Sequence, residues 1–230
     1  MRRKIAMAFL AWAGTAMAQP ADDPALVAAL AQCPGAAEFV RVHGHPLQRK
    51  GPGTETAPPS EPELRRQLLD MERIDQEARN GDWSQAAVQR MAEVDAANLS
   101  RIKRIAADHG GLPDVAKVGE DGLAAAWLLV QHADRDPGFQ ADVLARLAPL
   151  LDSGQVTPRQ FAMLTDRVLA AQGKPQRYGS QLLAVDGKWV PKPMEAPERI
   201  DERRAGIGEM PLADYICVAT HLMPPPAANP

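Results

Sequence analysis

The chain has 230 residues, a formal net charge of −3 and 45% hydrophobic residues, with only 4% aromatic. The acidic balance argues against a general nucleic-acid binder, which needs a basic surface to displace counterions. The length fits one domain with an aliphatic core rich in Ala and Leu.

Residues 1–18 read as a secretory signal. Arg2, Arg3 and Lys4 supply the positive start, Ile5 to Ala16 the apolar stretch, and Ala16-Met17-Ala18 a small-x-small cleavage site. At about 1.5 Å per helical residue, the apolar stretch is too short to span a bilayer core of about 30 Å. Cleavage after Ala18 leaves 212 residues and takes the formal charge to −6, because three basic and no acidic residues leave. No second long apolar run follows, so no stable membrane insertion is expected after cleavage.

Residues 19–59 read as an N-terminal helix and a linker. The helix covers Ala21 to Gln32, with Asp22 or Asp23 as cap and Pro24 in the first turn. Gly44 to Pro59 is rich in Gly, Pro and Thr and lacks periodicity. His43 and His45 make an HxH pair there, with no further ligands nearby. Residues 60–222 carry helical periodicity. Ser60 and Glu63 form a capping box for a helix whose apolar face is Leu64, Leu68, Met71 and Ala78, with Asp75 on the same face. A second helix runs from Ser84 to Asp108 on Met91, Val94, Ile102 and Ile105. Asn98 interrupts that stripe and Asp95 flanks it.

The longest apolar run outside the leader is Gly122 to Asp134, in a helix expected from Glu120 to Asp134. Ala124, Trp127 and Leu128 mark its apolar face, and Gln131 and His132 follow one turn later. Asp136-Pro137 opens a helix expected to end near Ser153-Gly154. Thr157 and Gln160 form another capping box, for a helix carrying Phe161, Leu164 and Val168 inward with Asp166 and Arg167 beside them. Tyr178 to Val185 reads as a strand, Asp186-Gly187 as a tight turn, and Lys188 to Val190 as the return strand. Pro211 to His221 is the last helix, and residues 223–230 a disordered Pro-rich tail. The expected class is mainly α: a single helical domain of about six to eight helices with a small β-hairpin near the C-terminus.

Four helices thus put a polar residue on or beside an apolar face: Asp75, Asn98, Gln131 with His132, and Asp166. A buried polar group without partners costs about 1–3 kcal/mol. The four are therefore expected to meet each other, water or a ligand, with Arg79, Arg167 and Arg204 as counter-charges. One reading is a pocket with His132 as general base or acid, oriented by Asp134 or Asp75, and Arg167 holding an anion. The other is an internal hydrogen-bond network with His132 as a core histidine. HxxxH, HExxH, GxSxG, Walker and GxGxxG patterns are missing, so no metal site is expected and no cofactor is indicated. Cys33 and Cys217 are the two cysteines, and in an oxidising compartment such a pair suggests a disulfide.

Several strings resemble an uncharacterised bacterial family of unknown function, numbered 6624. They include Asp75-Gln76-x-x-Arg79, Asp95-x-x-Asn98, His109-Gly110 and Val118-Gly119. The more specific ones are Val130-Gln131-His132-Ala133-Asp134 and Gln176-x-Tyr178-Gly179-x-Gln181. Phe139-Gln140, Asp166-Arg167 and Asp201-x-Arg203-Arg204 complete the set, which spans Leu69 to Tyr215. Ser180 departs from the Thr expected there but keeps the hydroxyl. The resemblance implies no substrate. It implies that the inward-facing polar residues, with Tyr178 and Gln181, are family features. The leading expectation is an exported ligand-binding or interaction protein using Asp75, Asn98, Gln131, His132, Asp166, Arg167, Tyr178 and Gln181, with the small molecule or protein partner undefined. The alternatives are a hydrolase-like enzyme using His132 with Asp134 or Asp75, and a structural envelope protein with a polar core.

Overall fold

The computed structural model describes residues 24–43, 57–79 and 84–226. The expected signal peptide, His45 and residues 227–230 lie outside them, as does most of the linker. The described residues form ten α-helices and one two-stranded antiparallel hairpin, a mainly α architecture. The helix count exceeds the expected six to eight because Pro149 divides one expected stretch and because Pro34–His43, which carried no helix expectation, is helical. The elements fall into two compact units, and the second of the chain's two crossings between them falls within a helix.

One unit, residues 51–164, is built on three long helices. They are α3 (Pro62–Arg79), α4 (Gln85–His109) and α5 (Val115–Gln131), which pack against one another. In α3 the buried face is Leu68, Met71 and Asp75, spaced at one turn. Ser84 caps α4 through the Ala87 N–H, and Gly110 closes it in the left-handed conformation at φ 68°. α5 is bent at Gly119, where φ is 75° and ψ 169°. A side chain there would be strained, and its Cβ would meet the Asp121 carboxylate at 3.0 Å. Beyond the bend most of α5 is buried, but Ala124, expected on the apolar face, is exposed, because it lies on the side of the helix turned away from α3 and α4. His132 is its C-cap and still donates its backbone N–H to the Leu128 carbonyl at 3.1 Å.

Asp136 caps α6 (Pro137–Ala145) by accepting from the Phe139 N–H at 3.0 Å. The helix stops at Ala145 rather than near Ser153. Pro149 has no N–H to donate to the Ala145 carbonyl and its ring crowds it, so a separate short α7 (Ala148–Asp152) follows. The Thr157 capping box is formed: the Gln160 N–H donates to Thr157 Oγ1 (3.1 Å), and the Thr157 N–H donates to Gln160 Oε1 (2.9 Å). It opens α8 (Pro158–Ala171), within which the second unit begins at Thr165.

The second unit joins α1 (Pro24–Gln32) and α2 (Pro34–His43) to residues 165–230. Cys33 lies between α1 and α2, which bend by 118° there. A residue before proline disfavours the α conformation, so Pro34 ends one helix and starts the next. Strands β1 (Leu182–Val185) and β2 (Lys188–Pro191) pair with Val185 opposite Lys188. Asp186 and Gly187 take positive φ values of 48° and 73°, the pattern of a two-residue type I′ turn. The strand is shorter than expected, because residues 176–181 wrap around a carboxylate instead. A 3-10 turn (Pro197–Arg199) leads into α9 (Ile200–Gly206), and α10 (Leu212–Leu222) packs on α1, α2 and β2. Cys33 and Cys217 are disulfide-bonded with Cα atoms 5.9 Å apart, tying the α1–α2 junction to α10 across 184 residues of chain. Among the described residues no single helix is long and apolar enough to cross a membrane.

Candidate functional site

The α3–α4–α5 packing brings Asp75, Arg79, Asp95 and His132 together. Asp75 is 0% exposed and His132 is 3%. His132 Nδ1 lies 2.9 Å from Asp75 Oδ1 and 2.8 Å from Oδ2. Arg79, one turn along α3 from Asp75, donates from Nη1 to Asp75 Oδ1 (2.8 Å) and from Nη2 to Asp95 Oδ1 (2.6 Å). Gln76 Nε2 adds a bond to Asp75 Oδ2 at 2.8 Å. One buried carboxylate therefore has three side-chain partners, and one arginine joins two acidic residues.

Burial pushes the Asp75 carboxyl up, but the hydrogen bond and charge of His132, with the Arg79 charge and Gln76, outweigh it and hold it below its ordinary value. An ionised carboxylate only accepts, so His132 Nδ1 carries the hydrogen of this contact. His132 Nε2 is then the nitrogen whose protonation can change. Asp95 is moved the other way: burial raises it, Arg79 and His132 oppose, and Asp75 adds to the rise. Glu72, one turn before Asp75, is pushed up to about 7, first by burial and then by the charges of Asp75 and Asp121. It is half-buried and exchanges its proton near neutrality.

Asp134, the other candidate partner of His132, instead accepts from Gln140 Nε2 at 3.2 Å. The same Gln140 amide donates to the carbonyls of Val130 (3.0 Å) and Gln131 (3.2 Å), which holds the C-terminal end of α5 against α6. Gln131 is fully buried and Asn98 is buried one turn beyond Asp95 on α4. His109 Nδ1 meets the Ile105 carbonyl at 2.8 Å and Nε2 meets Glu61 Oε2 at 3.2 Å, tying the end of α4 to the entry of α3.

Asp75, Asp95 and His132 bring one potential ligand atom each within 4.8 Å of one another. Arg79 already donates into both carboxylates, so a divalent cation there would compete with a fixed guanidinium. The donor set suits proton exchange and hydrogen bonding better than metal binding.

In the other unit, Asp166 is 0% exposed and accepts chiefly from backbone, with the Ser180 hydroxyl as a further donor. Its Oδ1 takes the N–H groups of Arg177 (2.7 Å) and Tyr178 (3.0 Å), and its Oδ2 that of Ser180 (2.9 Å). Burial raises the Asp166 carboxyl, and these three backbone donors pull against the rise. The Gln176 side chain closes the loop: its Nε2 donates to the carbonyls of Gln181 (3.0 Å) and Lys192 (2.9 Å), and its Oε1 accepts the Gln181 N–H (2.9 Å). Gln181 Nε2 donates to Ser180 Oγ at 3.2 Å. The Tyr178 carbonyl accepts from Arg204 Nη1 at 2.8 Å, and Arg204 stacks 4.9 Å from the Tyr215 ring. Arg167 is buried. The string from Gln176 to Gln181 thus builds a loop around Asp166, with Tyr178 joining it through its main chain.

Glu72 escaped sequence reasoning, and Gln140 entered it only inside a string of the family resemblance, with no role. The signal for Glu72 was its spacing, one helical turn from Asp75 on the same helix. Gln140 satisfies backbone carbonyls at a helix end, and no periodicity announces that role.

The fold and these clusters define a mainly helical protein with a buried histidine–carboxylate–arginine network. Residues 62–222 match the model of the family of unknown function DUF6624, and the chain belongs to that family. No curated protein matches the chain, and neither does any solved structure.

Proposed function

We propose that this is an exported protein that binds a small polar ligand at the Asp75–His132 network. The observation behind this reading is the grip of a braced carboxylate on His132 Nδ1. Both oxygens of an ionised, fully buried carboxylate engage Nδ1, and Arg79 and Gln76 brace that carboxylate. Such an arrangement fixes the ring and its tautomer, as a recognition site requires. Export is supported by the Cys33–Cys217 disulfide, which suits an oxidising compartment. N-terminal sequencing of the exported protein is expected to begin at Gln19; a retained Met1 refutes cleavage.

The ligand test is thermal denaturation of wild type and His132→Gln in the presence of fractionated small-molecule extracts. At least one fraction is expected to raise the wild-type melting temperature and leave the variant unmoved. Equal shifts in both proteins, or no shift in any fraction, would sink the reading.

A hydrolase-like reading has one specific observation in its favour. A carboxylate behind a histidine stabilises the imidazolium formed when that histidine takes a proton. Glu72, pushed up to about 7, lies one turn from Asp75 as a second group able to exchange protons near neutrality. Activity that survives in His132→Gln would exclude this role.

A further inference from the structure

Cys217 and His221 are four residues apart on α10 and so share one helical face. Both face the junction of α1 and α2, where Cys33 sits. The two sulfurs and a ring nitrogen of His221 lie within 4.8 Å of one another. Cys33 is buried, Cys217 half-buried and His221 exposed, so the group has an open side. We propose that, when the disulfide is reduced, Cys33, Cys217 and His221 bind a thiophilic divalent cation of the zinc class.

The geometry fits the donor set. Two thiolates and an imidazole are a recurrent tetrahedral zinc combination, with Zn–S near about 2.3 Å and Zn–N near about 2.0 Å. Tetrahedral angles then place the sulfurs roughly 3.7 Å apart, a separation that side-chain rotation supplies once the bond is broken. The fourth position is left to solvent on the exposed side. Cys33 also stands at the N-terminus of the ten-residue α2, where its carbonyl accepts the Ala37 N–H at 2.9 Å. A helix N-terminus favours the thiolate, the form that binds metal.

The chemistry balances with a dithiol as reductant. The dithiol breaks the Sγ–Sγ bond, supplies two electrons and two protons, and is itself oxidised to a disulfide. The cation then displaces the two thiol protons to solvent. Re-oxidation of the pair releases the cation, so the same residues are a covalent staple in one redox state and a metal clip in the other.

The test uses the full chain, with the disulfide intact or reduced by a phosphine under argon, titrated with zinc against a chromophoric chelator and with cobalt as a spectroscopic probe. The reduced protein is expected to bind one zinc per chain and to give a cobalt–thiolate charge-transfer band; the oxidised protein gives neither. His221→Ala is expected to weaken zinc binding by about tenfold or more, a ligand mattering at least as much as the groups that orient one. The oxidised variant should melt as wild type does, and Cys33→Ser is expected to lose the cobalt band. The proposal is overturned if reduced wild type binds no zinc, or if reduced wild type and His221→Ala bind it equally. It is also overturned if the reduced chain unfolds by circular dichroism and zinc fails to refold it.

Discussion

Asp75 on α3 and Asp166 on α8 are both fully buried carboxylates on otherwise apolar helix faces, yet their partners differ in kind. Asp75 is answered by side chains: a histidine, an arginine and a glutamine. Asp166 is answered by three backbone N–H groups of one loop, with the neutral Ser180 hydroxyl beside them. Side-chain partners that titrate can trade protons, whereas backbone donors cannot. The Asp75 cluster is therefore the place for chemistry or recognition, and the Asp166 cluster is a device for shaping a loop. The carboxyl values move in opposite directions for the same reason. Charged partners outweigh burial at Asp75, and neutral donors do not outweigh it at Asp166.

Substitution is expected to separate the two most sharply. Asp166→Ala leaves three backbone N–H groups without their acceptor, for a loss of about 4 kcal/mol at about 1–3 kcal/mol each. Urea denaturation measures it; a loss below about 1 kcal/mol would mean that the loop finds other acceptors. Asp75→Ala strands His132 and Arg79 and is expected to cost about 3 kcal/mol, less than Asp166→Ala because Arg79 is partly exposed and can reach Asp95 and water.

A gentler contrast comes from pH. Asp75 is held below its ordinary 3.8, so its contribution is present above that value and is lost as pH falls through the folded-state value. Asp166 is raised, so its contribution is largest in acid and is lost as pH rises through the raised value. Stability measured against pH should therefore lose part of its acid-side fall in Asp75→Asn and keep that fall in Asp166→Asn. Identical profiles would break the distinction between the clusters.

His132→Gln is expected to fold and to lose about 1–2 kcal/mol, since the amide can still donate to Asp75. Circular dichroism with a thermal melt would reveal a failure to fold, which would make His132 a structural residue. The smallest effect belongs to Glu72. Its carboxyl is raised from 4.5 to about 7, so the stability it contributes is complete below 4.5 and fades as pH rises through about 7. Glu72→Gln is expected to flatten that decline. A decline of unchanged slope in the variant would assign it to another group.

Much of the frame was legible locally. The caps at Ser84, Asp136 and Thr157, the left-handed Gly110 and the Asp186-Gly187 turn all depend on residues within a few positions of one another. Inward placement of Asp75, Asn98, Gln131 and Asp166 followed from helical period. What misled was also local. Residues 178–181 have the composition of a strand but serve as a loop, because an acceptor far from them in sequence order recruits their N–H groups.

The sequence by itself determined the helical class, the hairpin, the cysteine pair and the buried positions of the polar residues, because period and capping are short-range properties of the chain. Only the tertiary structure decided that Asp75 rather than Asp134 takes His132, that Arg79 joins Asp75 to Asp95, and that Asp166 holds a backbone loop. Those choices depend on which helix faces meet and at what level, and a carboxylate accepts equally well from any donor that packing brings within about 3 Å.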